Sequence, residues 1–353
     1  MKNNYTAISL FTGAGGMDVG FERAGFEIVF ANELMKDAAD TYRANRNTDV
    51  MVNADINTVL PELDSFNDID IVFGGPPCQG FSVAGKMDPN DERSNLIFTF
   101  LDVVEKVNPK IFVMENVKAL ATLEKWESVR AKYLERAKAL GYICYPYVLT
   151  ATEYGVSQKR ERVFFIGIKN TYTYDRERIC ELIENQKNTA PIIRDLLRPL
   201  GPAGTEKHPN TCTAKITFAA YPIMRKSPYA GMYFNGQGRP IDIDGYSNTL
   251  PASMGGNKTP FVDDEYLYGD ATENWVVSYH QGLLDGTIHP EFKSAPARLR
   301  RISISEAMKI QSFPDDYVFC GTKGSIYTQI GNAVPCKLAE VVAKAVAQYL
   351  KEI

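Results

Sequence analysis

The sequence lacks the features that would assign it to several specialised classes of protein. Its apolar stretches fall short of the ~18 residues that indicate a membrane-spanning helix, and residues 1–10 contain no long apolar core of a secretory signal. Only three histidines occur, and the six cysteines form no CxxC pair and no zinc-ligand spacing with them. We therefore expect a cytoplasmic protein with reduced thiols, no membrane segment and no metal ion.

An excess of one sign of charge is also lacking. The 353 residues include 39 lysines and arginines against 43 aspartates and glutamates, which gives a formal net charge of -4 at pH 7. This balance excludes a protein that is basic throughout, such as a histone. It does not exclude a nucleic-acid partner, because only the surface that contacts the nucleic acid has to be basic.

Short apolar stretches alternate with segments of helical spacing over the first 170 residues. The apolar stretches predict buried strands, and the segments between them predict helices. The predicted strands are residues 7–11, 28–31, 50–52, 69–73, 111–114 and 162–168. This alternation predicts an α/β fold with a doubly wound, mostly parallel sheet, in which ligands bind at the carboxyl ends of the strands.

The composition changes after about residue 170. Glycine, proline, asparagine, tyrosine and threonine become frequent, and the alternation of strand and helix fades. We expect a first domain over residues 1–175 and a smaller, loop-rich second domain over residues 176–315. An amphipathic helix at residues 337–351 should bring the C-terminal segment, residues 316–353, back onto the first domain.

A glycine turn follows the first predicted strand. Gly13 and Gly15 would let the backbone approach a ligand, and Glu33, 18 residues after Gly15, lies where a carboxylate could accept hydrogen bonds from ribose hydroxyls. Position 18 is aspartate, so the third glycine of a dinucleotide-binding GxGxxG is missing. The pattern favours S-adenosylmethionine over NAD; the alternative is a simple tight turn. Asp55 could meet an adenine amino group or cap a helix.

Three further positions carry groups suited to covalent chemistry. Two glycines and two prolines place Cys78 in a rigid bend after the fourth predicted strand, which favours a reactive nucleophile over a structural cysteine. Glu115 ends the next strand and could donate a proton to a substrate ring nitrogen, orient the ring, or cap a helix. Arg160 and Arg162 share one face of an extended segment and could hold an anion or form a solvated cluster.

Together these motifs resemble those of the C5-cytosine-specific DNA methyltransferase family, of the bacterial and phage modification type. Pro-Pro-Cys-Gln-Gly-Phe-Ser at residues 76–82 resembles the family's nucleophile motif, and Gln-Lys-Arg-Glu-Arg at residues 158–162 resembles its QxRxR motif. The matching segments follow the family's order along nearly the whole chain: 9–16, 32–33, 55–56, 76–82, 115–117, 158–162, 301–315 and 329–335. The resemblance implies the S-adenosylmethionine-dependent methyltransferase fold.

The resemblance also implies a covalent DNA (cytosine-5)-methyltransferase mechanism. Cys78 would add to C6 of cytosine, and Glu115 would stabilise the charge that enters the ring. Arg162 would contact Glu115 and the base, and Arg160 would support the same loop. At Leu34 some family members place an aromatic ring against adenine. The cofactor S-adenosyl-L-methionine would lie against Phe11, Gly13, Gly15, Met17, Glu33, Leu34, Asp55, Ile56, Pro77, Leu96, Asn332 and Ala333.

In such an enzyme residues 1–175 form the catalytic and cofactor-binding domain, and residues 176–315 form the target-recognition domain that binds double-stranded DNA. The target cytosine is flipped out of the duplex, and residues 80–95 are suited to closing over it. We expect a monomer that modifies a short specific site. The sequence leaves open whether a cognate restriction endonuclease acts on that site, and it implies no stable complex with one. The expected DNA contacts are Gln79, Ser82, Arg93, Arg225, Lys226, Arg239, Thr249 and Lys258.

Three alternative functions require other residues. An RNA methyltransferase of the same superfamily carries a Cys-Phe-Thr element, which is absent from this sequence. A DNA-binding protein without activity should lack Cys78, Glu115 or Arg162, and all three are present. An NAD oxidoreductase would require glycine at position 18 and would leave the setting of Cys78 unexplained.

Overall fold

The structure is a computed structural model that describes residues 5–46, 49–77 and 95–353. Seven strands of the described residues form one central sheet in the order β3-β2-β1-β4-β5-β8-β6, and β1 to β5 run parallel. The strands are β1 (Tyr5–Leu10), β2 (Phe26–Glu33), β3 (Met51–Asn53), β4 (Ile71–Gly74), β5 (Ile111–Val117), β6 (Tyr142–Thr150) and β8 (Glu161–Lys169). The short strand β7 (Gln158–Lys159) lies outside this sheet.

Helices cover both faces of the central sheet. They are α1 (Gly16–Arg23), α2 (Lys36–Ala44), α3 (Ile56–Val59), α4 (Leu96–Val107), α5 (Lys118–Thr122) and α6 (Glu127–Ala139). Successive side chains of a strand point to opposite faces, so Ile71 and Phe73 enter one buried core and Val72 enters the other. The first core includes side chains of α1, and the second includes side chains of α4 and α6. This layering confirms the predicted doubly wound α/β fold.

The sheet departs from a parallel arrangement at β8, which is antiparallel to both of its neighbours, β5 and β6. The sequence predicts no strand at β6, because this segment contains Pro146 and proline is rare inside strands. β6 lies at the edge of the sheet, where a strand tolerates proline because part of its backbone has no partner strand. The late strand predicted at residues 162–168 is confirmed as β8.

The second half of the chain has short elements connected by longer loops. They are α7 (Arg176–Glu184), α8 (Ile193–Leu197), β9 (Phe218–Ile223), β10 (Met232–Phe234), β11 (Ser247–Asn248), β12 (Phe261–Asp263), α9 (Asp264–Tyr268), α10 (Trp275–Leu284), β13 (Leu299–Arg301), α11 (Ile304–Ile310), α12 (Lys323–Asn332) and α13 (Cys336–Tyr349). Strands β9 and β10 form an antiparallel hairpin, β12 pairs with β13, and β11 pairs with β7. Two buried clusters lie here, one drawn from residues 193–330 and a largely aromatic one from residues 216–299.

Helices α7 and α13 pack onto the central sheet. Ile179 and Ile183 of α7 share the first core with the apolar side chains of α13. Helix α13 lies so close to α1 that a Cβ atom on Gly20 would be 2.4 Å from the backbone nitrogen of Glu340. The domain boundaries at residues 175 and 315 stay predictions. None of the helices in the described ranges is long and apolar enough to cross a membrane.

Candidate active site

Functional groups gather at the carboxyl ends of the parallel strands. The glycine turn follows β1, Glu33 ends β2, Gly75 and two prolines follow β4, and Glu115 lies near the end of β5. Because these strands are parallel neighbours, their ends meet at one edge of the sheet. The sheet therefore brings together residues that are up to about 100 positions apart in the sequence.

Glu33 is held against the glycine turn by backbone hydrogen bonds. The N–H of Gly13 donates to Oε2 of Glu33 at 2.8 Å, and the N–H of Met35 donates to Oε1 at 2.7 Å. Burial raises the pKa of Glu33, and the two backbone donors oppose this effect. Gly13 and Gly15 have φ angles of 54° and 80°, in the left-handed region that favours glycine. The turn and the carboxylate therefore form one fixed unit.

The C-terminal part of the chain borders the same turn. A Cβ atom on Gly16 would lie 2.8 Å from the carbonyl oxygen of Val334 and 3.1 Å from Cβ of Ala333. The hydroxyl of Tyr317 donates to the carbonyl oxygen of Ala14. Asn332 is exposed beside Ala333. The structure thus places the last predicted cofactor residues next to the first ones.

The other predicted cofactor residues occupy different surroundings. Phe11, Ile56 and Leu96 belong to the core on one face of the sheet, whereas Met17 packs in the core on the other face. Leu34 is 63% exposed directly after Glu33. Asp55 caps α3: its Oδ1 accepts the N–H of Asn57 at 2.8 Å. Its contact with an adenine amino group stays a prediction.

Glu115 and Arg162 form a buried ion pair. The antiparallel register of β5 and β8 sets Val117 opposite Arg162, and Nε of Arg162 lies 2.9 Å from Oε1 of Glu115. The two side chains are only 11% (Glu115) and 14% (Arg162) exposed. Burial raises the pKa of Glu115, while Arg162 and Arg160 act in the opposite direction. The carboxyl of Glu115 is therefore largely shielded from water and lies near the positive charges of Arg160 and Arg162.

This carboxyl also touches the segment that leads to the predicted nucleophile. A Cβ atom on Gly75 would lie 2.9 Å from Oε2 of Glu115, so glycine at this position lets the segment approach the carboxyl without displacing it. The side-chain amide of Asn116 donates to the carbonyl oxygen of Pro76 at 3.3 Å. Pro77 is the last described residue before a gap, and Cys78, Gln79, Ser82 and Arg93 lie outside the described residues.

A second network joins the QxRxR segment to the C-terminal region. Arg160 is buried, and one of its terminal nitrogens donates to the carbonyl oxygen of Gly331 at 3.2 Å. The side-chain amide of Gln158 donates to Oε1 of Gln311 at 2.9 Å, and the amide of Gln311 donates to the carbonyl oxygen of Ala333 at 3.1 Å. Sequence reasoning missed Gln311 as a functional residue, although the resemblance includes its segment.

The chain matches a known protein family over nearly its whole length. The sequence profile of the C-5 cytosine-specific DNA methylases matches residues 5–348. The type II methyltransferase M.PspPI of Psychrobacter sp. is 34% identical over 359 residues, which cover 99% of this chain and 80% of that protein. M.MthTI of Methanothermobacter thermautotrophicus is 31% identical over 355 residues, 99% of each chain. The chain belongs to the C-5 cytosine-specific DNA methylases.

Solved structures support the fold of this methylase. The S. pombe Dnmt2 methyltransferase superimposes with a TM-score of 0.67 at 16% identity, over 99% of each chain. The Entamoeba histolytica methyltransferase EhMeth superimposes with a TM-score of 0.66 at 15% identity, again over 99% of each chain. These structures confirm the predicted fold, whereas the family match and the type II methyltransferases confirm the predicted family and enzyme class, a DNA (cytosine-5)-methyltransferase.

The described residues with predicted DNA contacts lie in the second half of the methylase. Arg225 and Lys226 are exposed in the loop between β9 and β10, and Arg239 and Lys258 are exposed in other loops. Thr249 is also exposed, but its hydroxyl donates to the carbonyl oxygen of Lys159 at 2.8 Å. Within the described ranges, no group of three or more His, Cys, Asp or Glu side chains could hold a metal ion.

Proposed function

We propose that this methylase transfers the methyl group of S-adenosyl-L-methionine to C5 of a flipped-out cytosine in a short, specific duplex DNA site, through a covalent bond between Cys78 and C6. The observation that carries this proposal is the buried pair of Glu115 and Arg162. Glu115 contacts Gly75, three residues before Cys78 in the sequence. A carboxyl of raised pKa that contacts the segment leading to the expected nucleophile suits a group that donates a hydrogen bond to the base.

The residues around the glycine turn fit S-adenosylmethionine. Both oxygens of the Glu33 carboxylate accept backbone N–H groups, and a carboxylate has about four acceptor sites in all, so capacity remains for a ribose hydroxyl. A Cβ atom on Gly13 would meet no atom within 4 Å, so the turn is open on that side. When bound, the cofactor supplies an electrophilic methyl group. We assign to its site Phe11, Gly13, Gly15, Met17, Glu33, Leu34, Asp55, Ile56, Pro77, Leu96, Asn332 and Ala333.

The side chains of the methylase then activate the cytosine. The thiolate of Cys78 forms a bond to C6, and the electron pair of the C5–C6 double bond shifts onto C5, from where it is delocalised through C4 to N3. Glu115 donates a hydrogen bond to N3 and accepts one from the exocyclic amine, while Arg162 holds the carboxyl in place. C5 thereby becomes nucleophilic enough to be methylated. A base next removes the C5 proton, and its electron pair restores the double bond as Cys78 leaves.

The relatives favour a role in a restriction-modification system, because both are named as type II methyltransferases. In such a role the methylase would protect a site that a restriction endonuclease cuts. We propose that the second half of the chain reads this site as a monomer on duplex DNA. The contacts would come from Arg225, Lys226, Arg239, Thr249 and Lys258, together with Gln79, Ser82 and Arg93.

The test of the reaction uses purified protein, tritiated methyl-S-adenosylmethionine and unmethylated plasmid DNA, with Cys78→Ser in parallel. We expect label in DNA with the unaltered protein and none with the variant. Bisulfite sequencing should place the methyl group on C5 of cytosine in one short sequence context. Label in a tRNA pool but not in DNA would contradict the DNA assignment. Full activity of Cys78→Ser would overturn the covalent mechanism.

A second test addresses Glu115. The variant Glu115→Gln keeps the shape of the side chain but loses the ionisable proton and the ion pair with Arg162, so kcat should fall roughly 10²- to 10³-fold. The affinity for S-adenosylmethionine should stay unchanged, because the ion pair is separate from the contacts of the glycine turn. Glu135→Gln, an exposed carboxyl on α6, is the matched control. Equal loss of kcat in both variants would contradict the role of Glu115.

A further inference from the structure

A basic stretch without acidic residues contains the hairpin of β9 and β10. Residues 207–241 contain no aspartate or glutamate, although acidic residues exceed basic ones in the whole chain. The same stretch contains Lys207, Lys215, Arg225, Lys226 and Arg239. We call residues 218–234 the basic hairpin; its loop, residues 224–231, carries Arg225 and Lys226. A local excess of positive charge of this kind favours contact with phosphate groups.

The backbone of this loop is fixed at several points. Buried His280 on α10 donates from Nε2 to the carbonyl oxygen of Arg225 at 2.8 Å. The side-chain amide of Asn248 donates to the carbonyl oxygen of Tyr229 at 3.0 Å. The hydroxyl of Tyr233 donates to the carbonyl oxygen of Pro228. The side chains of Arg225 and Lys226 nevertheless stay exposed. A rigid loop that presents two cations loses little conformational entropy when it binds.

The hairpin has one packed face and one uncovered aromatic residue. Phe218 on β9 stacks on Trp275 and Tyr279 of α10, with ring centroids 5.7 and 4.7 Å away. Tyr221 on the same strand is 93% exposed, and Ile223 is 47% exposed. The fold therefore does not require an aromatic side chain at position 221. A protruding tyrosine beside two cations can instead pack against bases and hydrogen-bond to them in a DNA groove.

The loop of the hairpin is connected to the candidate active site. Asn248, which holds the carbonyl oxygen of Tyr229, belongs to β11 and pairs in register with Lys159 of β7. The chain continues directly from Lys159 to Arg160 and Arg162. One side-chain hydrogen bond and one strand pairing thus relate the basic hairpin to the ion pair of Glu115.

We propose that the basic hairpin enters a groove of duplex DNA, that Tyr221 contacts base pairs of the recognition site, and that Arg225 and Lys226 bind the flanking phosphates. This inference rests on the proposed function, since it assigns a specificity-determining residue for the same reaction. It distinguishes two roles within one element. Base contacts set which sequence is methylated, whereas phosphate contacts set affinity for every sequence.

The experiment uses duplexes that contain the site found by bisulfite sequencing and duplexes in which one base pair of that site is changed at a time. Tyr221→Ala should lower kcat/KM on the intact site about 5- to 100-fold and relax discrimination at one or two adjacent positions. Tyr221→Phe should retain most of the discrimination if the ring packs on bases. Because Tyr221 is exposed, both variants should keep the melting temperature of the unaltered protein.

Substitution of Arg225 or Lys226 should change binding in a different way. Arg225→Ala and Lys226→Ala should weaken binding to all duplexes equally, and each should reduce the slope of log affinity against log salt by about 1. Lys132→Ala, an exposed lysine on α6, is the matched control and should leave that slope unchanged.

Two outcomes separate this inference from the proposed function. For each altered duplex, the ratio of its kcat/KM to that of the intact site measures discrimination. If these ratios are the same for Tyr221→Ala and the unaltered protein, the assignment of Tyr221 is wrong while the methylation reaction stands. If the unaltered protein methylates no duplex DNA, the proposed function fails and the inference fails with it.

Discussion

Asp18 is a buried charged residue whose ionisation opposes folding. It lies in the first turn of α1, just after the glycine turn, and is fully buried. The hydroxyls of Ser9 and Tyr42 are buried close to this carboxylate, but none of these oxygens has a hydrogen bond of good geometry among the described residues. Burial raises the pKa of Asp18 to about 6, although the charge of Arg46 acts in the opposite direction. In the sequence, position 18 is notable only because the third glycine of a GxGxxG is missing there. The burial of Asp18 could not be predicted, because it depends on elements distant in the chain.

This pKa predicts how stability depends on pH. In the unfolded chain Asp18 ionises near pH 3.8, so the folded protein binds the proton more tightly, and stability is lost as pH rises through about 6. The difference of about two pKa units corresponds to about 3 kcal/mol above pH 7. Asp18→Asn should remove this dependence. Urea unfolding at several pH values should show the free-energy difference between variant and unaltered protein growing from pH 4 to pH 7 and then levelling. A difference that does not vary with pH would contradict the raised pKa.

At the scale of elements, the sequence indicates which segments form strands better than how the strands pair. The apolar stretches at residues 111–114 and 162–168 are confirmed as β5 and β8, but nothing in them distinguishes parallel from antiparallel pairing. The antiparallel orientation determines the geometry of the candidate active site, because the register of β5 and β8 brings Arg162 to Glu115. Strand β6 precedes β8 and pairs with its other edge, and Pro146 conceals β6 in the sequence.

The contact between α1 and α13 gives a prediction at this scale. A methyl group on Gly20 would lie 2.4 Å from the backbone nitrogen of Glu340, so one of the two helices would have to move. Gly20→Ala should therefore destabilise the protein by roughly 1–3 kcal/mol, despite the higher helix propensity of alanine. Gly256→Ala is the control, because a Cβ atom there meets nothing within 4 Å. Denaturant unfolding measures both variants; equal stabilities would show that α1 and α13 can separate without cost.

At the scale of the whole molecule, the glycine turn and the QxRxR segment depend on the C-terminal region. Gln311 is fully buried and bonds Gln158, which lies 153 positions earlier, and its amide also donates to the carbonyl oxygens of Ile330 and Ala333. Both segments match family motifs, yet a single sequence does not reveal that they touch. Contacts over such separations follow from the packing of the whole chain rather than from local patterns.

The same contacts predict that Gln311→Leu changes stability and cofactor binding together. Leucine fills most of the space but leaves the buried amide of Gln158 and two carbonyl oxygens without their partner, which should cost roughly 3 kcal/mol. Because Ala333 borders Gly16 of the glycine turn, the KM for S-adenosylmethionine should rise several-fold while kcat changes less. Gln348→Leu, at an exposed position of α13, should change neither quantity. Loss of stability in Gln311→Leu with an unaltered KM would mean that the C-terminal region supports the fold without positioning the cofactor turn.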